Sequence, residues 1–328
     1  MTSRLGLTGL LILAAAGVVA AQTPRFGARV DLVVLSTVVR DNQNAMVRGL
    51  AKDDFEILED GKPVAVSTFA EVNADNLAPQ DDGRFIVLLM DNLATDPLYA
   101  VRIKQIAHAF ADRMGPRDVV SVIFLNKGGS TATRNPAEVH AAIEKFKLFG
   151  NPATPMAAAE HAIDTMGDLS TQLAKLQHPR KVLVCIGPAV YFNAPLKAGE
   201  LEGDLGEAMK ATARANVTTY VIDPFGLTPR RQAGPPLDAG QVTSGASPGG
   251  NVTRGPGIAG SMDGFARETG GEAFANINVF DAAVDQVWQE SGTYYLLGYE
   301  PARRDNKRRT IEVRVKKPDM SARARRTR

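Results

Sequence analysis

The sequence predicts an α/β fold: a doubly wound, mostly parallel sheet plus a small β domain built from N- and C-terminal strands. Three observations carry that prediction. Apolar runs at 85–90, 119–125, 181–186 and 217–222 alternate with helical stretches, and strands alternating with helices specify a parallel sheet covered on both faces. Segments of strand type lie outside this block, at 30–69 and 293–315. The chain has 328 residues, 44% hydrophobic and 23% charged, the size and balance of a globular protein with a substantial core.

The first 21 residues read as a secretory signal peptide. Arg4 precedes an apolar run at 5–19, Val19-Ala20-Ala21 supplies small residues for cleavage, and Gln22 becomes the mature start. The alternative for this run is an uncleaved membrane anchor, for which it is a little short and too rich in Ala. No later segment is long and apolar enough to cross a membrane. The expected location is exported, periplasmic or extracellular. Cys185 is the single Cys, so no internal disulfide forms and the core must hold the exported fold. It lies in an apolar strand and reads as a buried, inert thiol.

The elements follow in order. The N-terminal region, 22–75, carries strands at 30–40 and 55–59, with a turn at Asp41-Asn42-Gln43-Asn44 and a hairpin signal at Asp60-Gly61 before a returning strand at 62–69. A polar stretch at 74–83 reads as a linker. The α/β block spans 84–291. Strand 85–90 leads to a helix at 98–114, stopped by Gly115-Pro116, and then to strand 119–125. Asn135 caps a helix at 137–146 with Pro136 in its first turn. Thr154-Pro155 repeats that start for a helix at 156–166, with a further helix at 173–177. Strand 181–186, a helix at 207–216 and strand 217–222 complete the sheet. Residues 226–260 are dense in Gly, Pro, Ser and Thr and read as a long loop. Helices at 261–269 and 279–291 follow. A C-terminal hairpin, 292–317, is expected to pack with the N-terminal strands. Residues 318–328 read as a solvated basic tail. Net charge is +2 overall, yet 301–328 carries 12 Lys/Arg against 3 Asp/Glu.

Asp91 is the most informative residue. It ends an apolar strand, and in open α/β sheets ligands bind outside the C-terminal strand tips. Three stretches carry a resemblance. The first runs from Val39-Arg40-Asp41 through Gly49-Leu50 to Asp53-Asp54-Phe55-Glu56-Ile57-Leu58-Glu59-Asp60-Gly61-Lys62-Pro63. The second spans Asp91 to Thr95. The third joins Phe265-Ala266-Arg267-Glu268-Thr269-Gly270-Gly271-Glu272-Ala273-Phe274 to Tyr295-Leu296-Leu297-Gly298-Tyr299-Glu300-Pro301. Block 84–291 resembles a von Willebrand factor type A (VWA) domain, Rossmann-like in fold. The whole chain is similar to the VWFA-related proteins of the acidobacterial type.

That resemblance implies a secreted binding module and no enzyme. It also implies a metal-ion-dependent adhesion site, in which oxygen ligands hold Mg²⁺ or Mn²⁺. By that similarity Asp91 matches the first acidic ligand, Thr95 the second hydroxyl, and Thr154 the second-loop Thr. Leu93 replaces the first hydroxyl. The acidic residue expected before a glycine is absent, because the pair there is Ile186-Gly187. Asp96 stands beside Thr95 as a substitute carboxylate. The metal ligands are thus Asp91, Thr95 and Thr154 in a degenerate site. The binding face is Asp91, Leu93, Thr95, Asp96, Thr154 and Gly187.

Other chemistries find no support in the residues. His108, His140, His161 and His178 form neither H-E-x-x-H nor a close ligand pair in sequence. Gly260-Ser261-Met262-Asp263-Gly264 is not a nucleophile elbow, and no phosphate-cradling glycine loop occurs. The expectation is a non-enzymatic module that binds a protein or cell-envelope ligand through the loops at the sheet edge, with no specific nucleic acid partner. The competing expectation is an envelope scaffold that uses the β domain and basic tail.

Overall fold

Apolar strands set the frame. The structure, a computed structural model, describes residues 32–73, 83–93, 97–148, 155–187, 202–224, 262–275, 277–303 and 307–327. The predicted signal peptide, residues 74–82 and the predicted loop at 226–260 lie outside them. Along the chain come β1 (Val33–Asp41), β2 (Phe55–Glu59), β3 (Lys62–Val64) and β4 (Val66–Asn73), then β5 (Phe85–Met90), α1 (Pro97–Asp112) and β6 (Val119–Phe124). Helices α2 (Pro136–Glu144) and α3 (Pro155–Ala174) precede β7 (Lys181–Ile186), α4 (Glu202–Ala215) and β8 (Val217–Ile222). The chain closes with α5 (Met262–Glu268), β9 (Ala273–Phe274), α6 (Asp281–Gly292), β10 (Thr293–Tyr299), β11 (Ile311–Val315) and β12 (Met320–Arg323).

Five strands form a parallel sheet in the order β6-β5-β7-β8-β9. Strands β7 and β8 are buried throughout, as strands covered on both faces must be. One face packs Ile86, Leu88 and Met90 of β5 against Ile103, Ile106 and Phe110 of α1, Val139 and Ile143 of α2, and Val284 and Val287 of α6. The other packs Val87 and Leu89 against Ile163 and Met166 of α3, Leu205 and Met209 of α4, and Phe265 of α5. Gly271 lets the chain cross tightly into β9: a Cβ there would stand 1.9 Å from the Thr219 carbonyl oxygen.

Strands from both ends of the chain share two antiparallel sheets, ordered β12-β1-β10-β4 and β11-β2-β3. Leu35, Ile57, Tyr295, Leu297, Tyr299 and Ile311 form their common core.

Four expectations are corrected. The returning strand at 62–69 is two strands, because β3 pairs with β2 whereas β4 pairs with β10. The helices at 156–166 and 173–177 are one, α3. Gly167 does not break it but sits against α4, facing Ala208, and the buried Ser170 and Thr212 hydroxyls pair at 2.8 Å beside it. The C-terminal hairpin does not form: both edges of β10 are taken by β1 and β4, so β11 pairs with β2 instead.

The fourth correction concerns the basic tail. Residues 320–323 are strand β12 on β1, with Val38 opposite Arg323. The cause is electrostatic. Arg323 donates to Glu272 and to Glu290, and Glu290 has no solvent exposure. Arg40 of β1 donates to the same carboxylate through Nε at 3.0 Å, Tyr220 of β8 at 2.9 Å, and Gln286 of α6 at 2.9 Å. Burial and then the Glu290 charge push the Tyr220 hydroxyl up from its ordinary pKa, so it stays a donor. A buried carboxylate is tolerable only when donors replace its lost water.

Removing Arg323 takes away one of the two cations that hold Glu290 and leaves Arg40. Arg323→Ala should therefore lower stability by about 1.5–3 kcal/mol, the worth of a hydrogen bond to a charged group, whereas Arg326→Ala, at an exposed position, should leave the urea midpoint unchanged. Equal midpoints for both variants would restore the solvated tail.

Candidate functional site

The crossovers reverse at the centre of the parallel sheet. The chain leaves β5 for β6 by way of α1 on one face, and leaves β7 for β8 by way of α4 on the other. Such a switch point opens a crevice at the C-terminal edge, between β5 and β7. Asp91 stands at that point. Its N–H donates to the Ile186 carbonyl at 3.0 Å, which extends the β5–β7 pairing by one residue. Its carboxylate Oδ1 accepts the Leu93 N–H at 2.9 Å, and the residue is buried.

Gly187 faces it from the end of β7. A Cβ at 187 would lie 2.5 Å from the Asp91 Cβ, so a side chain there would force the two strand tips apart. Leu93 is buried in the apolar layer with Leu89, Leu125 and Cys185. It takes a core position, which accounts for an alkyl group where the resemblance expects a hydroxyl. Ile186 is fully buried in the opposite layer. A carboxylate there would sit in hydrocarbon without a partner. The structure thus brings Asp91, Leu93 and Gly187 together. Thr95, Asp96 and Thr154 lie outside the described residues, as do the loops at 94–96, 149–154 and 188–201. Among the described residues, no three His, Cys, Asp or Glu side chains converge on one point.

Sequence reasoning missed the groups that fix this edge. Asn92 is buried; its Oδ1 accepts the Asn126 N–H at 2.8 Å, and its Nδ2 donates to the Asn126 and Lys147 carbonyls, each at 3.3 Å. One amide therefore ties the tip of β5 to the tip of β6 and to the segment after α2. His161 of α3 bonds through Nε2 to the Leu125 carbonyl at 2.8 Å. The Asn after Asp91 was a visible signal, because a polar residue at the end of an apolar strand needs partners when buried.

The structure also joins two histidines that are far apart in sequence. His108 of α1 and His140 of α2 approach Nδ1 to Nδ1 at 2.7 Å. Their signal is helical spacing: His108 with Asp112 and His140 with Glu144 are each four apart, which places both members on one helix face.

No protein-family model matches the chain, and no curated protein does. Among solved structures the chain is similar to proximal thread matrix protein 1 from the mussel byssus, at 14% identity over 48% of this chain and 38% of that one, with a TM-score of 0.29. It is also similar to the human COPII-coat protein Sec24c, at 7% identity over 79% of this chain and 46% of that one, with a TM-score of 0.37. The chain thus spans less than half the length of either. Likenesses this distant carry no argument about function. The fold and site define an α/β protein with a central edge crevice bearing one buried carboxylate. Among the described residues no helix is long and apolar enough to cross a membrane.

Cys185 lies beside this crevice on β7. Burial, and then the charge of Asp91, push its thiol up to about 12, and its Sγ lies 3.7 Å from the Met166 Sδ. Thiolate is the reactive form. The folded protein should therefore resist iodoacetamide at mildly alkaline pH and alkylate only after unfolding in urea. Prompt alkylation of the folded chain would contradict this placement.

Proposed function

We propose that the chain is an exported VWA-like interaction module. It binds a protein or cell-envelope ligand through the loops at the C-terminal edge of its parallel sheet and performs no catalysis. One observation carries the proposal: Asp91 sits buried at the tip of an interior strand, where the crossovers reverse, with Gly187 leaving room against it. A five-stranded parallel sheet with helices on both faces is compatible with that class of domain.

Recognition at this edge does not depend on a tightly held dication. One Asp91 oxygen already accepts the Leu93 N–H, and neither Leu93 nor Ile186 offers an oxygen side chain. Among the described residues a hard cation that dehydrates reluctantly finds too few oxygen ligands here. The scaffold reading, which relies on the basic C-terminal segment, draws less support. Arg323 and Arg325 of that segment donate to Glu272, Glu290 and the Ala213 carbonyl within the fold.

Calorimetric titration with Mg²⁺ and Mn²⁺ should give no saturation at micromolar metal, in the wild type or in Asp91→Ala. Saturable micromolar binding abolished by Asp91→Ala would show a working adhesion site instead. Retention on envelope fractions separates the two surfaces. The edge reading predicts weaker retention for Asp91→Ala and none of that loss for Arg303→Glu with Lys307→Glu, both at exposed positions. The reverse pattern would favour the scaffold.

A further inference from the structure

A cleft of about 190 Å³ lies beside α4. Helix α4 ends where β8 begins, so its last turns sit toward the N-terminal edge of the parallel sheet, away from Asp91. Met209 and Ala213 form an apolar floor, both buried. Lys210 and Arg214 line the cleft from the same helix, four residues apart and so on one face. Lys307 and Arg308 line it from the antiparallel side. The second wall is tied to the first. Arg325 donates through Nη1 to the Ala213 carbonyl in the last turn of α4, and the Arg326 N–H donates to the Glu268 carbonyl at 3.0 Å.

The lining holds four cations and no carboxylate. Two of the cations are paired with carboxylates outside it: Lys210 Nζ is 2.5 Å from Glu207 Oε1, and Arg308 Nη2 is 3.3 Å from Glu268 Oε2. Lys210 and Arg308 are at exposed positions, where ion pairs are weak, so a more highly charged anion can compete for these donors. A concave surface lined by one sign of charge concentrates ions of the other. Guanidinium forks meet phosphate oxygens two at a time, and ammonium groups add point charges. A phosphomonoester brings a charge of about −1.5 to −2 at neutral pH and three acceptor oxygens; a carboxylate brings one charge and two oxygens. The floor calls for an apolar cover as well. A cavity of about 150 Å³ holds benzene, so this cleft admits a group of ring size, whereas pockets for drug-sized ligands begin at about 300 Å³.

We propose that this cleft binds a small soluble phosphomonoester. Lys210, Arg214, Lys307 and Arg308 hold the phosphate, and an apolar part no larger than a single ring rests on Met209 and Ala213. The site is separate from the edge crevice and does not rest on the reading given for it.

The test is calorimetric titration of the full chain with phenyl phosphate, inorganic phosphate and benzoate. Phenyl phosphate should bind saturably at one equivalent. It should bind more tightly than inorganic phosphate, which lacks the ring, and than benzoate, which lacks the second charge. Arg214→Gln and Arg308→Gln should each weaken it by about ten- to a hundredfold, the worth of a hydrogen bond to a charged group. Lys62→Gln, on β3 and outside the lining, and Asp91→Ala should leave it unchanged. The three cationic side chains replaced are at exposed positions, and far-ultraviolet circular dichroism checks that the variants fold. No saturable binding of phenyl phosphate at millimolar concentration, equal affinity for phenyl phosphate and inorganic phosphate, or undiminished binding in both Arg variants would each overturn the proposal. So would retention on vesicles containing phosphatidic acid without binding of phenyl phosphate, which would assign these cations to a membrane surface.

Discussion

A single buried carboxylate holds the architecture together. Glu290 lies near the end of α6 with no exposure and accepts hydrogen bonds from β1, β8, β12 and its own helix, through Arg40, Tyr220, Arg323 and Gln286. These groups come from the far ends of the chain and from the middle of the parallel sheet. Burying an isolated carboxylate costs several kcal/mol, so the fold persists only while the donors are in place. The antiparallel strands cannot separate from the α/β layers without breaking the Arg40 and Arg323 bonds to that carboxylate. Arg180 reinforces the junction. It donates to the Glu290 carbonyl and the Thr218 hydroxyl, each at 3.1 Å, and lies over the Tyr294 ring at 4.5 Å. Arg84 acts similarly below β5, paired with Asp118 at 2.8 Å and stacked on Trp288 at 3.9 Å.

This anchoring bears on the edge crevice. A binding face on strand tips is only as well ordered as the sheet beneath it. Here β5, β7 and β8 are sealed between two apolar layers, and Asn92 and His161 fasten the tips to neighbouring elements. Among the described residues the crevice offers a ligand the oriented carboxylate of Asp91. The residues that fill the expected ligand positions, Leu93 and Ile186, are core residues. Restoring a metal site would thus require rebuilding the packing as well as adding oxygen atoms.

Much of this was legible in the sequence. The runs at 85–90, 181–186 and 217–222 are apolar throughout, which only a sheet covered on both faces tolerates. Asn135-Pro136 marked the start of α2, and the Asn135 side chain accepts the Ala137 N–H at 3.0 Å. Asp91 and Gly187 were visible as strand-tip residues. The rest was hidden for definite reasons. Arg323 reads as a solvated cation because its partners, Glu272 and Glu290, are distant in sequence. The β3–β4 break falls at Ala65, two residues after Pro63, in a run that otherwise alternates as one strand. Gly167 looks like a helix stop until α4 packs on it. The His108–His140 contact exists only once α1 and α2 lie side by side.

A double-mutant cycle between Glu290→Met and Arg323→Met tests the central constraint most directly. Residues that share one buried network couple by about 0.5–3 kcal/mol. The loss of stability of the double variant in urea should therefore fall short of the sum of the single losses by an amount in that range. Strictly additive losses would show that β12 and α6 are independent, and that the carboxylate does not hold the chain ends to the sheet.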